Sequence, residues 1–142
     1  MFQRKQSLYL IASIVLLIVS LLLPLGGNEE LSVSYFGIEA LTESSTVQGN
    51  IIFGGVGVLL GLILYVVALI MFNNRKLQMT MVKMASLLTV LGVAFTVYII
   101  NLNSFNIPFV IAIPLVAVML SLLAHKFIKK DEDLIKSVDR IR

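Results

Sequence analysis

Ile51 to Phe72, IIFGGVGVLLGLILYVVALIMF, runs without a charged residue and is followed at once by Asn73, Asn74, Arg75 and Lys76. At ~1.5 Å of rise per residue such a helix is ~33 Å long, enough to cross a ~30 Å hydrocarbon core. Gly54, Gly57 and Gly61 fall at i, i+3 and i+7 and share one face, which Tyr65 and Ala68 continue. Gly57 to Gly61 is a GxxxG, the pattern that lets a second helix approach backbone to backbone. The run is therefore expected to be the central helix of a membrane bundle.

Composition agrees with that expectation. Hydrophobic side chains make up 58% of the chain, the mean hydropathy is +1.00, and only 13% of residues are charged. A soluble domain carries about a quarter charged residues. The apolar residues come in blocks, and no stretch left between them exceeds ~30 residues, too few for an independent core. One membrane domain over residues 1–142 accounts for the whole. There are no cysteines, which excludes disulfides, thiolate metal sites and dithiol redox chemistry. The single histidine, His125, leaves no pair to ligate a haem.

Four spans are expected, at about 8–25, 51–72, 84–102 and 108–127. Arg4 and Lys5 before the first apolar run outline a signal peptide, but the run is longer than a usual ~7–15-residue signal core and no A-x-A site follows. A retained first helix is the reading adopted. Residues 26–50 form an outer loop in which Leu31, Val33 and Tyr35 alternate with Ser32 and Ser34, a period-2 signal for a short extended segment. Gly37 reads as a turn. Either a polar loop or a segment folded over the bundle mouth fits, and the apolar Phe36, Ile38 and Leu41 favour the second.

Asn73 to Lys83 reads as a basic connector. The third span carries Ala85, Thr89, Gly92 and Thr96 on one face, and the fourth carries Ala117, Ser121 and Ala124. Small faces of this kind are how membrane helices pack, so Gly54, Gly57, Gly61, Ala68 and Gly92 are read as packing residues. Asn106 is placed to cap the fourth helix ahead of Ile107 and Pro108. Pro114 predicts a kink. In the tail, 128–142, Leu134, Ile135, Val138 and Ile141 recur at helical spacing, and Glu132 and Lys136 form an i, i+4 pair. A cytoplasmic amphipathic helix results, continuing from the fourth span or bent away from it.

All eleven lysines and arginines precede the first span, join the second to the third, or stand at the end of the fourth and after it. The positive-inside rule then places both termini in the cytoplasm. The outer loop carries four glutamates, Glu29, Glu30, Glu39 and Glu43, and no positive charge.

Chemistry is scarce. Apart from Lys126 at the very end of the fourth, no Asp, Glu, Lys or Arg lies within the four spans, whereas proton- and ion-coupled carriers keep an ionisable group at membrane depth. His125 beside Lys126 reads as a helix-end residue favoured by the dipole. Asp131, Glu132 and Asp133 diverge by ~100° each around a helix and do not converge on a metal. The outer glutamates lack ligand spacing, and no P-loop, GxGxxG, HExxH or nucleophile elbow is present. No catalytic, cofactor or metal residues are assigned, no enzyme activity is expected, and nucleic acid is not among the expected partners. Lys129, Lys130, Arg140 and Arg142, with Leu134 and Val138, are the candidates for contact with a partner or with lipid headgroups.

The opening MFQRKQSLYL, with its QRxQ, and the closing KKDEDLIKSVDRIR resemble the two ends of an uncharacterised bacterial family of short four-helix integral membrane proteins. Phe2 stands where an aliphatic residue is expected. The resemblance implies a Gram-negative inner membrane as location, and it brings no activity and no catalytic residues. The function expected is that of a scaffold or accessory subunit acting on membrane lipids, a membrane-protein partner or a second copy of itself. The alternative is a protein that binds or moves lipid or small hydrophobes, with the glycine face, Pro114 and the outer segment as a gate.

Overall fold

The computed structural model describes residues 3–28, 31–35, 37–40, 45–102 and 109–139. Its first helix, α1 (Gln3–Leu22), turns Gln6, Leu10, Ser13, Leu17 and Ser20 inward. Those residues are spaced three and four apart, the repeat of one helix face. The helix stops ahead of Pro24, whose ring disfavours helical backbone in the residue before it.

The chain then forms a small antiparallel meander, β1 (Gly26–Asn28), β2 (Leu31–Ser34) and β3 (Gly37–Ala40), in that order. Gly26 pairs with Val33, and Val33 in turn with Ile38. The alternation at Leu31 to Tyr35 marked β2. The flanking strands, GGN and GIEA, were not expected, so the single extended segment beside the four helices becomes a three-stranded sheet. Gly37 is not the turn: it pairs with Ser34 and opens β3.

Two long helices follow, α2 (Ser45–Ile70) and α3 (Arg75–Leu102). The basic stretch expected as a connector over Asn73–Lys83 is helical from Arg75 onward. Asn74 caps it: its Oδ1 accepts from the Leu77 amide at 3.3 Å, while its carbonyl takes the first helical bond from the Gln78 amide at 2.9 Å. Arginine and lysine are good helix formers, so charge ends the apolar run without ending the helix.

A 3-10 turn, Phe109–Ile111, leads into α4 (Ala112–Asp139). Pro114 is the third residue of α4, where its missing N–H costs little because first-turn amides have no intrahelical acceptor. The expected kink becomes this change of helix type at the entrance. Asn106, Ile107 and Pro108 lie outside the described residues. The tail continues α4 as one unbroken helix as far as Asp139.

Three helical stretches are long and apolar enough to cross a membrane, Ile52–Ile70, Arg75–Leu102 and Phe109–Ser137. The shorter Gln6–Leu22 rises ~25 Å, near the lower limit for a span. Large apolar side chains such as Leu8, Phe53, Ile70, Leu91 and Met119 point outward, which suits a hydrocarbon surrounding and is consistent with a membrane protein.

The tightest packing joins α2 to α3. A methyl at Gly57 would stand 2.9 Å from the Gly92 Cα, and one at Gly92 would stand 2.8 Å from both the Gly54 carbonyl oxygen and the Val58 nitrogen. The two backbones are in contact, which only glycine allows. A methyl on Gly54 would collide with the Thr96 hydroxyl, and one on Gly61 with the Thr89 hydroxyl. Ala68 is fully buried further along the same face. At the meander end, Gly55 lies against the backbone of Tyr35. Tyr35 is buried, its hydroxyl has no hydrogen-bond partner among the described residues, and burial pushes it up to about 12.

Candidate functional site

Two polar constellations stand out in a chain this apolar. The first lies inside the bundle, where Tyr65 of α2 meets Ser86 of α3 and Ser121 of α4, all three buried. Ser86 donates to the Val82 carbonyl at 2.6 Å and Ser121 to the Val118 carbonyl at 2.7 Å. Each serine has one proton, and each spends it within its own helix. The Tyr65 hydroxyl must therefore be the donor, and the 2.7 Å to Ser121 against 3.3 Å to Ser86 makes Ser121 its acceptor. The remaining 3.4 Å between the serines is then a contact without a proton to share. The cluster ties three helices together.

The second lies at the end of the bundle where α1 begins, α2 meets α3 and α4 closes. Lys76, Met79, Thr80 and Lys83 recur at i, i+3, i+4 and i+7 along one side of α3. Opposite them stand His125, Lys129, Glu132, Asp133 and Lys136 of α4. Together they line a cleft of about 380 Å³. The Glu132 carboxylate and the Lys136 ammonium pair at 2.9 Å across one helical turn. Three lysines, Lys76, Lys83 and Lys129, then face Asp133, a surplus of two positive charges within the lining. His125 is half-buried, and its Nε2 is enclosed with no hydrogen-bond partner among the described residues.

α1 braces the same end. Gln6 donates its side-chain amide to the Asp131 carboxylate, and Tyr9 stacks on Phe127 with ring centroids 5.5 Å apart. Arg75 and Gln78 meet Gln6 around a smaller recess of about 100 Å³. The acidic triplet is thus divided: Asp131 to α1, Glu132 to Lys136, and Asp133 to the cleft. Among the described residues no three His, Asp or Glu side chains are placed to hold a metal.

Of the residues singled out in the sequence, Lys129 lines the cleft. Lys130 and Leu134 lie along a second groove on α4 with Lys126, Phe127 and Ser137, and Lys129 and Asp133 border both. Leu134 is 52% exposed and Ile135 47%. The Val138 side chain, Arg140 and Arg142 lie outside the described residues. Lys76, Lys83 and Gln78 were not singled out as contacts, and Gln6 only as part of the QRxQ. The first two carried a signal, the 76-79-80-83 spacing, which is hidden if those residues are taken as a loop. The two glutamines carried none, since their burial depends on which helices meet there.

No curated protein and no solved structure matches this chain. The family model described as "Domain of unknown function (DUF4293)" matches residues 2–141, nearly the full length of this helical, lysine-ended chain, and the chain belongs to that family.

Proposed function

We propose that this is an integral membrane protein of a bacterial inner membrane, with its lysine-rich end in the cytoplasm, and that it works as a non-enzymatic scaffold or accessory subunit. The observation that carries this is the length of α4. Its 28 residues rise ~42 Å, against a hydrocarbon core of ~30 Å. About 12 Å of helix must then project beyond the core, and that projecting part bears the exposed Leu134 and Ile135 among lysines. One side of it is held by α1 through Gln6 and Asp131. The other side presents an apolar strip with a charged border, the makeup of a helix that docks on a partner.

The alternative, a carrier of lipid or small hydrophobes, would open along Gly54, Gly57 and Gly61. α3 occupies that face at backbone distance, which favours the scaffold reading. The distribution of lysine and arginine supports the orientation.

The test is purification of the full chain from its native membrane in mild detergent, with identification of co-purifying proteins. A stoichiometric partner is expected with the unaltered chain, and it should leave when Leu134 and Val138 are both replaced by Asp. A partner that stays bound to the double variant, or a chain purified alone with nothing to lose, contradicts the proposal.

A further inference from the structure

The cleft between α3 and α4 has a composition that the scaffold reading does not use. We infer that it is a binding site for the phosphate headgroup of an anionic membrane lipid, held by Lys76, Lys83 and Lys129.

Charge comes first. With Glu132 and Lys136 paired at 2.9 Å, the lining keeps two positive charges in excess. Basic pockets between helices at the cytoplasmic boundary are where anionic headgroups bind. The lysines come from two helices and converge on one volume, unlike a rim of positive charge spread over loops. The volume of about 380 Å³ accommodates a phosphate with part of its glycerol.

His125 also lines the cleft, between the lysines of the two helices. An anion reaches this volume from the charged end or from the side.

The side entrance decides between a lipid and a free phosphate. Leu87 lies one turn beyond Lys83 on α3, and Leu122 lies two turns before Lys129 on α4, so both continue the cleft's open flank toward the apolar middle of the bundle. They are 53% and 45% exposed. A headgroup seated among the lysines would lay its acyl chain along these leucines, whereas a free phosphate would have no use for them.

The experiment is native mass spectrometry of the full chain released from nanodiscs of equal phosphatidylglycerol and phosphatidylcholine. One phosphatidylglycerol per chain should be retained in preference to phosphatidylcholine. Lys83→Gln with Lys129→Gln should remove most of that preference. Lys126→Gln with Lys130→Gln removes the same charge from the neighbouring groove of α4 and should lower it far less. Equal loss in both double variants would reduce the effect to diffuse charge and overturn the site. So would an unaltered chain that shows no preference. In a parallel arm, inorganic phosphate is added to the detergent-solubilised chain. Thermal protection by millimolar phosphate, with no phosphatidylglycerol retained, would overturn the lipid as its source. A double variant that loses folding is recognised by its circular dichroism, and Leu87→Gln with Leu122→Gln then serves instead. That pair leaves the lysines in place and should weaken lipid retention without altering any response to inorganic phosphate; undiminished lipid retention in it would contradict the acyl-chain placement.

Discussion

Gly92 and Gly57 are the residues on which the bundle's closest contact depends. A methyl at Gly92 meets two backbone atoms of α2 at 2.8 Å, and backbone cannot rotate aside as a side chain can. Gly92→Ala should therefore lower stability by about 1–3 kcal/mol, the usual penalty for overpacking, read as a fall in the thermal midpoint in detergent. An unchanged midpoint would mean that α2 and α3 do not touch at Gly92. The glycine face of α2 could be read from spacing alone, because i, i+3, i+7 on an apolar run leaves few other uses. Which helix it met could not, since α3 and α4 both offered a face of small residues. Tyr65 was placed on that same face by its number, but its role as hydrogen-bond donor to Ser121 came only from the proton count.

At the scale of elements, the four helices were legible in the sequence because each apolar block is long enough to imply one. Their ends were not. Hydropathy reports where hydrocarbon stops, and a helix stops where its hydrogen bonds do. α3 begins at Arg75 because Asn74 caps it, and α4 runs on through charged residues because nothing breaks it before Asp139. Asn74→Ala removes the cap and should cost about 1 kcal/mol, with faster amide exchange confined to the first turn of α3. Exchange unchanged at Leu77 would show that the 3.3 Å bond contributes nothing. One strand of the meander's three was visible, because β1 has no apolar side chain and the alternation in β3 is only Ile38 and Ala40.

For the whole molecule, the arrangement separates two ends. One gathers Arg75, Lys76, Lys83, Lys126, Lys129, Lys130 and Lys136 around the close of α4 and the start of α3. The other carries the meander over Gly55. The charge asymmetry of the sequence anticipated this division, but the α3–α4 cleft required two segments about fifty residues apart to meet, and no spacing along the chain encodes that. The scaffold and lipid-site proposals both depend on the lysine-rich end facing the cytoplasm. Because the chain contains no cysteine, single cysteines can report that orientation against an empty background. Ser34→Cys and Ser137→Cys variants would be treated in intact cells with a membrane-impermeant maleimide. Ser34→Cys should label directly, the outer membrane having been made permeable, and Ser137→Cys only once the inner membrane is opened. Labelling of Ser137→Cys in intact cells, with Ser34→Cys protected, would invert the molecule and contradict both proposals at once.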